Sequence, residues 1–303
     1  MTVATRPAGP EVVAPLRALL PGLIDYAGLF PPAALSMADA VAEYAGHRRS
    51  ADAWVLGRFV APAARLEELA TARRALAPGA PWAVSALAGP GWGEDAGRMA
   101  RWSDGAELVV DTVEFKAASV PELEAAVGAL GRSRTCYVEV PVAGDPVELL
   151  TRIAGLGLRA KIRTGGVTPE QFPPAADVVR FMERCRELAL PFKATAGLHH
   201  PLTGDYRLTY EAGSARGRMF GFLTLFAAAA AVALGWRTDE VTGLLEEGSV
   251  EAYRLDAAGL HWRGRIIPAD ALGELRHSGA IAFGSCSFTE PLADLRTLGY
   301  LPA

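Results

Sequence analysis

The sequence predicts an α/β protein built as a single (β/α)8 barrel, and three observations lead there. Short β-like runs alternate with amphipathic helical runs, with eight strand runs along the chain, the pattern of parallel strands joined by helices. Several helical runs open on capping signatures, such as Ser36 with Asp39 and Ser119-Val120-Pro121-Glu122. Polar residues collect where the predicted strands end, which is where such a barrel carries its functional groups. Periodicity does not report closure, so a doubly wound open sheet is the alternative. At 303 residues, 50% hydrophobic and 21% charged, the chain has material for one large core and is read as one domain over residues 1–303.

In order, the first strand is Leu23-Ile24-Asp25-Tyr26, followed by Ala27 to Pro32 and a helix capped by Ser36. Strand two, Trp54 to Val60, ends at Ala61-Pro62, and a helix follows from Ala63 to Leu76. Strand three, Trp82 to Leu87, is stopped by Gly89-Pro90-Gly91 before a helix around Glu94 to Trp102. Strand four is Glu107 to Phe115 and strand five Thr135 to Val142, with the helix opened by Ser119 between them. Asp145, Pro146 and Glu148 start the next helix. Strand six, Arg159 to Arg163, precedes the cap sequence Thr168-Pro169-Glu170-Gln171 and a helix over Val178 to Leu188. Strand seven, Phe192 to Ala196, leads into a loop from His199 to Arg218, and Met219 to Trp236 forms an alanine-rich helix. The rhythm then changes. Arg237 to Gly279 reads as an insertion between the seventh unit and strand eight, with a helix over Thr238 to Glu247. Within it, Ala252 to Leu255 and Leu260 to Arg263 flank a turn at Asp256 to Gly259 as a hairpin. Strand eight is Ala280 to Ser285, and Pro291 to Leu298 closes the chain as a helix.

A formal net charge of −4 and a pI near 5.8 give no electrostatic reason to expect nucleic acid. Cys136, Cys185 and Cys286 form no CxxC or metal-ligand spacing and suit a reducing, cytoplasmic compartment. Met1 to Pro10 shows no secretory signal. Met219 to Trp236 carries no charge and raises the question of a membrane span. Alanine is weakly lipophilic, however, and a helix apolar all round is equally explained by burial on both faces. No membrane partner is expected. A homodimer covering the helix is, with the Arg237 to Gly279 insertion as the alternative cover.

The chemistry centres on Lys161-Ile162-Arg163-Thr164-Gly165-Gly166 and Lys193-Ala194-Thr195-Ala196-Gly197-Leu198-His199-His200. Residues two apart on a strand share a face, so Lys161 and Arg163 point one way, as do Lys193 and Thr195. Consecutive strands would aim these cations into one space. The other polar residues at strand ends are Asp25, Arg58, Ser85, Asp111, Glu114, Lys116, Glu139, His199, His200, Ser285 and Ser287. Core-facing strand positions are normally Val, Ile or Leu, so charges held inside by partners mark a site.

A lysine whose proton is lost near neutrality, well below its usual value of about 10.4, can form a Schiff base with a carbonyl. Lys161 is the candidate nucleophile, and Lys193 the like charge favouring its neutral form. A static reading pairs both lysines with Glu114 and Glu139. Arg163 and Lys193 also read as an anion clamp for a substrate phosphate or carboxylate. His199-His200 invites a divalent cation shared with Glu114 or Glu139, although adjacent residues on an extended segment face opposite sides and no compact ligand motif is present. Cys286 has no histidine near it in sequence. The small residues around it, Gly284 to Ser287, suit N–H donors cradling an anion.

Read in order, the strand ends resemble those of deoxyribose-phosphate aldolase and its class I aldolase relatives. Leu23-Ile24-Asp25 with Leu29 and Pro31 looks like that family's opening strand. Gly105-Ala106-Glu107 with Asp111-Thr112-Val113 is similar to its middle strand, which bears a catalytic aspartate. Lys161-Ile162-Arg163-Thr164-Gly165 matches the strand whose lysine forms the Schiff base. Lys193 to Gly197 looks like the strand whose lysine lowers the first one's pKa, and Gly284 to Ser287 is similar to the phosphate-binding segment. Arg163 stands where the family has a small residue, Asp111 sits one residue further from Gly105, and Arg237 to Gly279 has no counterpart.

The expectation is therefore a TIM barrel lyase of aldolase type. Lys161, Lys193, Asp111 and Glu114 would be catalytic. Asp25, Arg58, Glu139, Arg163, Thr195, His199, His200, Ser285 and Ser287 would bind a small anionic carbonyl or phosphorylated substrate. No cofactor is required; the alternative is a metal-dependent or acid/base isomerase or lyase that works through an enolate, with Glu114, Glu139 and His199 as divalent-metal ligands or as bases. A barrel that binds an anionic metabolite without catalysis is the second.

Overall fold

The computed structural model of the chain describes residues 12–302; Met1 to Pro10, read above as free of a secretory signal, lies outside them. Eight parallel strands close into a barrel. They are β1 (Ile24–Tyr26), β2 (Leu56–Pro62), β3 (Trp82–Leu87), β4 (Leu108–Lys116), β5 (Thr135–Glu139), β6 (Arg159–Arg163), β7 (Phe192–Thr195) and, last in sequence, β13 (Ala280–Ser285). Each pairs with the next, and β13 closes the ring by pairing with both β7 and β1. Outside the barrel lie an antiparallel hairpin of β8 (Gly204–Arg207) and β9 (Arg216–Met219), and a three-stranded sheet of β10 (Tyr253–Leu255), β11 (Gly259–Trp262) and β12 (Arg265–Pro268). The fold is the (β/α)8 barrel, not the open sheet.

Local chemistry explains most boundaries. Ser36 Oγ accepts the Asp39 N–H at 3.2 Å and Ser119 Oγ that of Glu122 at 3.3 Å, fixing the starts of helices Met37–His47 and Val120–Leu130. Strand five ends at Glu139 rather than Val142: after the Val140 N–H bonds Lys161, Pro141 has no donor to continue the ladder. Thr168 caps only a 3-10 turn, Pro169–Gln171, because Pro173 and Pro174 intervene before the long helix begins at Ala175.

Two predicted loops contain more structure than periodicity shows. The stretch after strand seven holds the β8–β9 hairpin, whose strands are polar on both faces. The insertion adds a third strand, β12, and a helix over Ala269–Ser278 to the expected hairpin. The alanine-rich helix spans Phe222–Ala233, and no helix among the described residues is long and apolar enough to cross a membrane. Its residues from Phe222 to Val232 are buried within one chain. Phe222 stacks on Phe283 of β13 with ring centroids 5.2 Å apart, while helices Ala175–Glu187, Thr238–Leu245 and Ala269–Ser278 enclose the other sides. The cover thus comes from the insertion and the preceding barrel helix. This helix calls for no second copy of the chain.

Candidate active site

Strand parity places the site. Lys161 and Arg163 of β6 face the barrel axis, as do Lys193 and Thr195 of β7, and the register sets Glu139, Lys161 and Lys193 side by side across β5, β6 and β7. The opposite wall supplies Asp25 from β1, Ser85 from β3 and Glu114 from β4, all buried. Lys193, only 1% exposed, donates to Asp25 Oδ2 at 2.5 Å and to Glu114 Oε1 at 2.6 Å, and lies 5.4 Å above the centre of the Tyr137 ring. Lys161 Nζ approaches Glu114 Oε2 at 2.8 Å and Glu139 Oε2 at 2.9 Å. Both lysines therefore grip one carboxylate, one on each oxygen, and Ser85 Oγ donates to Glu114 Oε1 at 2.6 Å.

The Lys161–Glu139 contact is close but lacks hydrogen-bond geometry, and Glu139 Oε2 takes no hydrogen bond although it is buried. Arg163 Nε donates to Glu139 Oε1 at 3.1 Å, with Lys116 Nζ 3.4 Å from the same oxygen. Burial alone would raise these carboxyl groups. The surrounding cations reverse it: Lys161 and Lys193 hold Glu114 well below the usual range, and Lys161 and Arg163 bring Glu139 down to about 2. Burial likewise opposes the charge on Lys193, but Asp25 and Glu114 outweigh it and its pKa is raised. Lys193 is thus a fixed ammonium.

Several of these groups border a partly open cavity of about 220 Å3 at the C-terminal end of the barrel. Lys161, Lys193, Glu114, Arg163, Thr195 and His199 all line it. Just past β7, Ala196 and Gly197 both adopt positive φ, 65° and 70°, and Thr164 steadies the turn by donating from Oγ1 to the Ala196 carbonyl at 2.7 Å. A side chain on Gly197 or Gly165 would collide with the Phe172 ring, so both positions need glycine to let these loops meet over the cavity. Gly57 has the same role lower down, where Asp25 Oδ1 accepts the Arg58 N–H at 2.7 Å.

Several expected residues sit elsewhere. Asp111 is the extra residue of a β4 bulge, since Val84 pairs with Val110 but Ser85 with Thr112. It lies three residues nearer the strand's N-terminal end than Glu114 and does not line the cavity; Arg58 holds it bidentately at 2.7 and 3.0 Å. Asp111 and Arg58 are a pair at the barrel's foot. Ser285 faces out between strands, where Oγ accepts the Ser287 N–H at 3.3 Å, and Ser287 Oγ accepts the Glu290 N–H at 3.1 Å. Their neighbours Gly284 and Cys286 line the cavity instead. His200 turns away, stacked on Tyr206 with centroids 3.6 Å apart and bonded to Asp294 at 2.6 Å. His199 turns inward and its Nδ1 lies 3.0 Å from Glu290 Oε2.

The proposed metal ligands do not converge: Glu114 and Glu139 face lysines, and His199 faces Glu290. Among the described residues no group of three or more His, Cys, Asp or Glu is placed to share a cation. Residues not singled out from sequence are Tyr137, Tyr210 and Glu290. Tyr137 lies two residues before Glu139 on the same face and was legible by parity; Tyr210 and Glu290 are brought in from loops and a helix without any local signal. Compared with known proteins, the chain matches no family model, no curated protein and no solved structure.

Proposed function

We propose that the barrel is a carbon–carbon lyase that works through a Schiff base on Lys161 with a small anionic carbonyl compound. The observation that carries this reading is the asymmetry of the two lysines. Lys193 is hydrogen-bonded to both Asp25 and Glu114, whereas the contacts of Lys161 with Glu114 and Glu139, at 2.8 and 2.9 Å, are ion pairs beside a Glu139 oxygen that takes no hydrogen bond. Attack requires Lys161 as a free amine, and its proton is relayed by Glu139 Oε2, 2.9 Å away, to the carbonyl oxygen as that oxygen becomes a hydroxyl. The nitrogen adds to the carbonyl carbon, and the protonated hydroxyl leaves as water to give an iminium. A carboxylate, Glu114 or Glu139, removes the proton from the substrate's β-hydroxyl. The C–C bond then breaks, its electron pair moves into the iminium, and an enamine and an aldehyde result. Protonation of the enamine carbon and hydrolysis of the new iminium release the second product and restore Lys161.

Lys193 supplies a fixed positive charge across Glu114. Arg163 is the anion anchor. Its side chain is 44% exposed, and Glu139 engages only its Nε closely, leaving guanidinium donors toward the cavity. The test is reductive trapping: protein with pyruvate or glyoxylate is treated with cyanoborohydride and weighed intact. One adduct per chain at Lys161 is expected, and none in Lys161→Met. A Lys161→Ala protein that still cleaves a carbonyl substrate without labelling would refute the reading.

A further inference from the structure

Cys286 follows β13 directly, and the alternation Ala282, Gly284, Cys286 brings it onto the cavity wall. Its Sγ lies 4.0 Å from His199 Nε2, and the other ring nitrogen of His199 lies 3.0 Å from Glu290 Oε2. Tyr210 donates its hydroxyl to the same Glu290 oxygen at 3.0 Å and stands 3.8 Å from Sγ. Thiol, imidazole and carboxylate thus stand in the order nucleophile, base and orienting group, loosened as such contacts are without substrate. Burial opposes charge on His199, but Cys286 and Glu290 overcome this and lift it to about 9. The other titratable groups facing this cluster are Tyr26, raised by its own burial, Glu43 and Cys286, and His200, whose ring lies beside that of His199. None of this is needed for the lysine chemistry.

We propose that Cys286, His199 and Glu290 form a second nucleophilic centre in the cavity, at which the Cys286 sulfur adds reversibly to the carbonyl carbon of a small aldehyde. The S–C bond forms as the carbonyl π pair moves onto oxygen; the His199 imidazolium gives its Nε2 proton to that oxygen, and the thiol proton takes its place on Nε2. The product is a thiohemiacetal; no oxidant and no leaving group take part. A cavity of about 220 Å3 suits a small aldehyde, and Arg163, which lines the same cavity, favours one bearing a carboxylate. The centre would hold the aldehyde half of a cleaved substrate while the other half is still bound elsewhere in the cavity.

The centre is tested in the Lys161→Met protein, where an imine at that lysine cannot form, so failure here and failure of the lyase reading are separate results. Isotopically labelled glyoxylate is expected to give a thiohemiacetal carbon resonance that Cys286→Ser removes. Iodoacetamide should alkylate Cys286 before Cys136 and Cys185, glyoxylate should protect Cys286, and acetate, which has the charge without the aldehyde, should not. His199→Gln should slow alkylation at neutral pH on the order of 10-fold, as expected when a thiol loses a neighbouring imidazolium. If His199→Gln does not fold, Glu290→Gln should slow it by a smaller factor. No thiohemiacetal resonance, equal protection by acetate, or unchanged alkylation in both variants would overturn the proposal.

Discussion

The barrel interior holds two buried ion networks, one at each end, and they are built differently. At the foot, Arg58 clamps Asp111 through two parallel bonds, Thr112 Oγ1 adds a third at 3.0 Å, and Arg276 closes the base onto the Leu19 and Pro21 carbonyls at 2.7 Å each. Each partner there is used up. At the mouth, three carboxylates are divided among Lys193, Lys161, Arg163 and Lys116, one glutamate oxygen is left without a hydrogen bond, and Lys161, Lys193 and Glu114 line a cavity. A planar guanidinium satisfied bidentately is a fastening, whereas a shared carboxylate with compact ammonium groups can change partners as protons move. Charge inside the barrel is therefore not by itself a functional mark; incomplete satisfaction beside open space is.

Removing the nucleophile should have the largest effect. Lys161→Met should cut reductive labelling on the order of 100-fold or more, near background, as loss of a covalent nucleophile implies; circular dichroism checks that the barrel persists. The foot should respond in the opposite sense. Arg58→Met leaves the half-buried Asp111 short of its counter-ion and should cost about 2 kcal/mol of stability, read by urea unfolding, while folded protein still labels at Lys161. Undiminished stability there, or lost labelling in well-folded protein, would erase the distinction between the two ends.

The mouth should also impose a pH window. Glu139, lowered from an ordinary 4.5 to about 2, contributes stability that is complete above the unfolded value and is lost as pH falls toward 2. His199, raised from 6.5 to about 9, contributes stability that is complete below its unfolded value and is lost as pH rises through 9. Unfolding free energies should therefore peak between roughly pH 4.5 and 6.5, and fall on the order of 3 kcal/mol for each group outside that range. Glu139→Gln should flatten the acid limb and Glu290→Gln the alkaline one. The smallest effect belongs to the rim: Lys116, 74% exposed and 3.4 Å from Glu139, should change stability by less than about 0.5 kcal/mol on replacement by Met.

Much of the mouth was legible in the sequence because strand parity is a local property. Lys161 with Arg163, and Lys193 with Thr195, face inward as their two-residue spacing requires, and Ser36 and Ser119 cap the helices they announce. Asp111 was misplaced because a bulge adds one residue to β4, and no residue pattern there reveals it. Gly284 to Ser287 kept its place but not its use, since the serines bond their own backbone and leave Cys286 facing inward. The Cys286, His199 and Glu290 grouping was invisible because Cys286 and His199 lie 87 residues apart and meet only when β13 closes the ring between β7 and β1.

The covered alanine-rich helix has a consequence for biosynthesis. Phe222–Ala233 leaves the ribosome just ahead of Thr238–Leu245 but well before Ala269–Ser278, which also encloses it, and before β13, on which Phe222 stacks. For that interval a nascent chain would carry an uncharged apolar rod with one wall of its housing still unmade, the sort of exposed surface that draws chaperones or neighbouring chains. A chain stopped at Trp236 should accumulate in aggregates, and supplying residues 237–303 as a separate polypeptide during synthesis should return part of it to solution.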